Sequence, residues 1–369
     1  MSYRPHIIGG SVGFFAALLV LSGLGRHAVP HETGRLISEC GGPLRELVIH
    51  FVAGDRSALP VYRQFLPELA SGVVVHVVCP DPESFDQLRA GIGPVACRLS
   101  PVVVDHPISV WSRDRWVALA PAGKPALIRL LAPADEDGAA IWPQRQGDAK
   151  VAADIARLMS DRLESQKLPL LFDGGDFLAD EFTVFATPAV AAKNVASGFR
   201  EPGALQEFLA SQFGKPVVML ETAPDHHAGM YMMAAGSKTM LVGDPRMAMA
   251  MYDSELPFVP DGVDRSSETQ SRFDAVADQL SRLGYRIVRI PTLPSTNGKT
   301  YLTYVNVITE QREGRNIVYM PTYPQAPEMN ALASQIWEGL GYEVHPIDCS
   351  SCYADFGTLH CLVNVLRRG

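Results

Sequence analysis

The chain has 369 residues, 47% of them hydrophobic, and carries a formal net charge of -8 with a pI near 5.7. That composition is too apolar for a disordered chain and long enough to bury a large core. The acidic balance, without any run of lysines or arginines, argues against nucleic acid as a partner and suits a small cationic ligand.

Arg4 and His6 precede an uncharged stretch at residues 7–25 that includes Phe14, Phe15, Leu18 and Leu19. Its length falls between a signal-peptide core of roughly 7 to 15 residues and a spanning helix of about 20. Residues 1–27 are therefore expected to be a signal peptide or membrane anchor that exports the protein, and any membrane contact is expected through them alone. Residues 28–44 then read as a linker and residues 45–369 as a single domain.

From residue 47 the pattern alternates between β-branched runs and amphipathic periods: strands at 47–52, 73–79 and 102–104, helices at 60–69 and 83–90. The turn Trp111-Ser112-Arg113-Asp114 leads into a strand at 116–120, which puts Asp114 at a strand mouth. Residues 134–147 read as a loop, and 149–166 as a long helix through Val151, Ile155, Leu158, Met159 and Leu163. A strand at 170–172 runs into Asp173-Gly174-Gly175-Asp176, whose paired glycines permit a sharp turn or a close approach. Helices at 205–213, 267–283 and 327–340 and strands at 217–220, 285–290, 302–308, 317–320 and 343–347 continue the alternation. No low-complexity linker interrupts it. The fold class is mixed α/β, for which a doubly wound sheet is the default arrangement.

Six cysteines are too few for a disulfide scaffold in a chain this long. Cys349-Ser350-Ser351-Cys352 reads as a small disulfide or as two free thiols, since a zinc site would need a second ligand pair at usable spacing. Gly357-Thr358-Leu359-His360-Cys361 places a thiol directly before the last apolar run. By itself Cys361 fits a buried structural thiol as well as a nucleophile, which would need a base and carboxylates from distant positions. His226 and His227 precede a concentration of methionine: Met230, Met232, Met233, Met240, Met247, Met249 and Met251 are seven of the twelve in the chain. These are adaptable core filler or, with the histidines, soft ligands for copper(I) in an exported protein.

Taken together, the motifs resemble the guanidine-modifying, or pentein, superfamily, and within it the agmatine deiminase and bacterial-type peptidylarginine deiminase branch. Trp111 to Asp114 is similar to that family's Trp-x-Arg-Asp, and Asp173 to Asp176 to its Glu-Gly-Gly-Asn/Asp turn, with Asp173 in place of the usual Glu. The segment 303–307 around Asn306 resembles its Tyr-x-Asn strand, and Gly357 to Cys361 its Gly-x-x-His-Cys. The resemblance implies a five-bladed α/β propeller around a central site, with neither metal nor cofactor. It implies Cys361 as nucleophile, His227 as general acid and base, and Asp173 as the group that orients His227. Asp114 would grip the substrate guanidinium, and Trp111, Arg113, Asp176 and Asn306 would complete the substrate site. The implied substrate is a small cationic guanidine or an arginine-containing peptide, and the implied products are ammonia and a ureido compound.

One position departs from the pattern. The family's His-x-Asp aligns with His227 and Gly229, so a carboxylate is missing. Asp225 or Asp176 is a candidate substitute, and Gly229→Asp is expected to strengthen guanidine recognition. A binding protein that has lost catalysis is the alternative reading. His360 is expected to lie on the strand face opposite Cys361 and to tolerate substitution better than His227.

Overall fold

The computed structural model describes residues 34–121, 127–136, 143–199, 202–252 and 256–369. The segment expected to direct export lies outside these residues. The described strands fall into five separate sheets of three or four strands. Each contains an antiparallel pair extended by a parallel strand. In one of them Ile308–Arg312 and Arg315–Thr322 form a hairpin with Gln311 opposite Asn316. After the helix Pro327–Gly339 the chain returns as Tyr342–Asp348, parallel to the second strand, with Ile317 paired to Glu343. Parallel neighbours need such a crossover, and its helix covers one face of the sheet. The same scheme explains why β-branched runs and helical periods alternate in the sequence.

The last strand, Val363–Arg368, pairs antiparallel with Leu44–His50 and sets Val363 opposite Ile49. The last strand thus shares a sheet with an early one, and Cys361 enters the core two residues before its strand begins. Residues 34–44 are no linker: Arg35–Leu36 pairs with Val117–Ala120, and Glu39 is buried.

Three other expectations are corrected. Residues 134–147 are not all loop, because a helix begins at Pro143, a residue whose fixed φ and missing N–H suit a first helical turn. That helix, Pro143–Leu158, stops short of Leu163, which opens the strand Leu163–Lys167 parallel to Ile128–Ala132; pairing with a sheet edge overrides the helical period. Residues 170–172 form no strand. Asn194 serves the backbone there instead, accepting from Leu171 N at 2.9 Å and donating to Leu171 O at 2.7 Å, so the groups a neighbouring strand would satisfy are still paired.

Met230, Met232, Met233 and Met240 lie fully buried in the largest apolar cluster, as core filler. All six cysteines are unpaired and buried, and Cys352 Sγ donates to Cys349 O at 3.4 Å. No described helix is long and apolar enough to cross a membrane.

Candidate active site

The thiol of Cys361 is carried by a four-residue helix, Leu359–Leu362, between the buried Thr358 and the final strand. Asn306 holds this turn from behind. Its Oδ1 accepts from Thr358 Oγ1 at 2.6 Å and from His360 N at 3.0 Å, while its Nδ2 lies 3.1 Å from Gly229 O and 3.4 Å from Cys361 Sγ. Asn306 is fully buried and anchors the turn that carries the thiol; it is not part of the cavity wall.

In front of the thiol opens a cavity of about 1390 Å³, whose wall includes Trp111, Asp114, Asp173, Asp176, His227 and Cys361. Sequence positions more than two hundred residues apart meet here. The imidazole of His227 lies between two carboxylates, with Nδ1 3.7 Å from Asp114 and Nε2 3.7 Å from Asp173. Cys361 lines the same cavity wall. Burial alone would depress its pKa, but Asp114, Asp173 and Cys361 around it hold it well above the usual histidine value. Asp173 shows the converse: burial opposes its ionisation, yet His227, Lys193 and Arg145 keep it well below the ordinary carboxylate range. An imidazolium beside a thiol is the arrangement that activates cysteine.

The Asp173-Gly174-Gly175-Asp176 turn owes its glycines to close approach, since neither is in a left-handed conformation. A Cβ on Gly175 would come within 2.5 Å of His227 Nδ1, and one on Gly174 within 2.2 Å of Arg113 O. The turn is therefore the seat of the imidazole. Gly357 has the same relation to Trp111, whose Cζ3 would lie 2.6 Å from an added Cβ.

Two residues expected to touch substrate are engaged by the protein itself. Arg113 turns into the core, paired with Glu39 and donating from Nη2 to Phe177 O at 3.3 Å, because successive residues of the Trp-Ser-Arg-Asp turn point in different directions. Asp176 reaches the cavity wall, but both oxygens are engaged, by Thr187 Oγ1 and Lys193 Nζ at 2.9 Å each. It buttresses the turn further by accepting from Asp173 N at 2.9 Å. Asp225 does not replace the missing acid either, since it pairs with Arg272 at 2.6 Å and its side chain is 79% exposed. Around Gly229 itself an added Cβ would lie 3.0 Å from His360 Nδ1 and 3.3 Å from Asn306 Nδ2. Those two side chains occupy the ground where a carboxylate would begin.

His360 corrects the expectation made for it. It belongs to the short helix rather than a strand, is 3% exposed, and its Nε2 lies 2.9 Å from Glu39 Oε2. Burial and the nearby Arg113 lower its pKa against the pull of Glu39. His226, whose ring packs edge-on against His227 at 5.0 Å, is pushed down to about 3 by burial and by the charge of His227, so it is neutral. Among the described residues no group of three or more His, Cys, Asp or Glu side chains is placed to hold a metal ion.

Sequence reasoning missed Arg145, Lys193 and Glu39. Arg145 donates to Asp114 and, from Nη2, to Asp173 Oδ1 at 2.6 Å. Lys193 Nζ bridges Asp173 and Asp176 at 2.9 Å each. None of the three lies in a distinctive local pattern. Only the Pro188 start of the helix Pro188–Lys193 hints that a cation ends up near the turn.

No protein-family model matches this sequence, and no curated protein matches it. Solved structures do match. The agmatine deiminase of C. jejuni superposes with a TM-score of 0.65 at 14% identity, covering 91% of this chain and 96% of that one. The agmatine deiminase of Enterococcus faecalis gives 0.63 at 13% identity, over 91% and 96%. A Porphyromonas gingivalis protein provisionally described as an arginine deiminase gives 0.69 at 19% identity, over 89% and 96%. At these identities the likeness establishes the fold: the chain has the mixed α/β fold of the solved deiminases.

Proposed function

We propose that the protein is a hydrolase of guanidine C–N bonds, acting through a covalent cysteine intermediate on free arginine, peptidyl arginine or agmatine. The observation that carries this reading is the meeting of Cys361, His227, Asp114 and Asp173 on the wall of one open cavity, with the imidazole 3.7 Å from each carboxylate. A guanidinium carbon is poorly electrophilic because three nitrogens share its charge. Catalysis therefore needs a carboxylate to fix the planar fork and a thiolate already formed for attack. Asp114 takes the first role and Cys361 the second. The thiolate adds to the carbon, and His227 gives its proton to the departing nitrogen, which leaves as ammonia. Neutral His227 then takes a proton from water. The hydroxide displaces the sulfur, the ureido product departs, and thiolate and imidazolium are restored. In the same reading the five sheets are the blades of a propeller around this cavity, and residues 7–25 direct export.

The assay is release of ammonia and a ureido product from arginine, an arginyl peptide and agmatine, with Cys361→Ser as control. Turnover abolished by that change supports the reading, and turnover unaffected by it discards the nucleophile. A second reading, a binding protein without catalysis, is favoured by the missing carboxylate at Gly229. Retention of a guanidine ligand without any product would select it. Full-length protein found only in the soluble cytoplasm would discard the export assignment.

A further inference from the structure

The guanidinium site already contains a guanidinium. Arg145 stands in the first turn of the helix Pro143–Leu158 and donates through Nη1 to Asp114 and through Nη2 to Asp173 Oδ1 at 2.6 Å. The same two carboxylates flank His227, each 3.7 Å from one of its ring nitrogens. On the deiminase reading, a planar fork held by Asp114 and Asp173 beside this imidazole imitates a bound guanidinium.

Geometry makes the two occupants exclusive. Arg145 donates to Asp114 and to Asp173 Oδ1, and Lys193 Nζ engages Asp173 Oδ2 and Asp176. Arg115, which also touches Asp173, is offset by Glu136. A second guanidinium cannot pair with the same carboxylate oxygens while Arg145 holds them, so exchange is the route by which it enters.

The exchange does not require the helix to move. Asp148, one turn on from Arg145, accepts from Ser109 N at 2.8 Å and from Ser109 Oγ at 2.6 Å. Gly147 lies so close to Pro107 O that an added Cβ would be 1.7 Å away. The backbone is thus fastened independently of the side chain. The Arg145 side chain is 23% exposed, so it has a path from the carboxylates to water.

From this geometry we infer that Arg145 is an internal occupant of the guanidinium site, displaced by substrate, which sets the affinity and selects planar, two-pronged cations. This rests on the deiminase reading for the identity of the site. An ammonium ligand is a point charge and cannot replace both bonds at once, so it competes poorly with Arg145. A guanidinium replaces both.

The test measures binding to full-length protein carrying Cys361→Ser, with and without Arg145→Ala, by calorimetry with agmatine, an N-acetylated arginine amide and, as the ammonium control, N-acetyl-lysine amide. An occupant that fills the site nine-tenths of the time weakens apparent binding about tenfold, so Arg145→Ala is expected to tighten both guanidines by roughly tenfold or more. The lysine amide should gain enough that the preference for guanidinium narrows. In the Cys361 protein, KM should fall by a similar factor with kcat within about threefold, the pattern of a change confined to ground-state binding. Arg145→Gln serves as a second variant with its own melting curve, should the alanine protein fold poorly. Unchanged or weaker guanidine binding overturns the inference. So does a loss of kcat at constant KM, which would make Arg145 a positioning residue for Asp114 and Asp173. Tighter binding with no turnover in any Cys361 protein keeps Arg145 as the occupant and discards the deiminase reading. Failure of both proteins to bind any guanidine overturns both.

Discussion

Two charged clusters meet at Cys361, and they differ in their access to water. On the cavity side, His227, Arg145 and Lys193 have side chains 17%, 23% and 33% exposed around Asp114, Asp173 and Asp176. On the far side, Glu39, Arg113 and His360 are 4%, 6% and 3% exposed, and Arg368 Nη2 closes the group by donating to Glu39 O at 3.0 Å. Glu39 is driven down to about 2: burial opposes its charge, but Arg113, His360 and Arg368 outweigh it. Ions in the open cluster can change partners with a ligand, because water and ligand can reach them. Ions in the sealed cluster are out of reach of water and ligand, so their contribution is to hold the short helix that carries Cys361 in one position. Function is expected to follow the first cluster and stability the second.

The largest expected effect separates the two. His227→Asn should lower turnover about a thousandfold, within the usual range for a lost general acid and base, while the melting temperature changes little. Comparable turnover in the variant would remove His227 from the mechanism. Glu39→Gln should do the reverse, destabilising the fold by about 3 to 5 kcal/mol because Arg113 is left buried without its counter-charge. Chemical denaturation measures this, and a stability within about 1 kcal/mol of wild type would contradict a sealed cluster.

Gly229 lies at the seam between the clusters and sharpens the comparison. The sequence suggests that Gly229→Asp would restore a lost carboxylate. In the structure the His360 ring that an added Cβ would crowd is pinned at Nε2 by Glu39. The variant should therefore lose about 1 to 3 kcal/mol, the usual cost of overpacking, without a gain in kcat/KM on any guanidine. Unchanged stability with improved kcat/KM would show that the sealed side yields after all.

The smallest effect concerns pH. Asp148, beside His50 and on the helix that carries Arg145, is raised to about 7 by burial, against the bonds from Ser109 and the charge of Arg145. Its folded pKa exceeds the unfolded value, so between about pH 4 and 7 the native state holds the extra proton and this group makes stability fall as pH rises. His50, lowered to about 4 by burial, acts oppositely between about pH 4 and 6.5. The difference between wild type and Asp148→Asn isolates the first term and should slope by up to about 1.4 kcal/mol per pH unit. A flat difference would mean that Asp148 is ionised throughout.

The sequence by itself determined the alternation of strands and helices, the thiol at the end of the chain and the acids of two turns, because each is a local pattern: a period, a glycine pair, a motif of four or five residues. It could not show which way adjacent residues face within the Trp-Ser-Arg-Asp turn, and so it assigned to the substrate site an Arg113 whose side chain turns into the core. Nor could it show that Asn306 lies behind the thiol, or that Glu39, read as linker, is the counter-ion of Arg113 and the hydrogen-bond partner of His360. Only the tertiary structure decided those contacts, and with them that Arg145 reaches Asp114 and Asp173. Ion pairs between residues 28 to 321 positions apart leave no periodic trace in the chain. They exist because the fold brings distant turns together around one cavity.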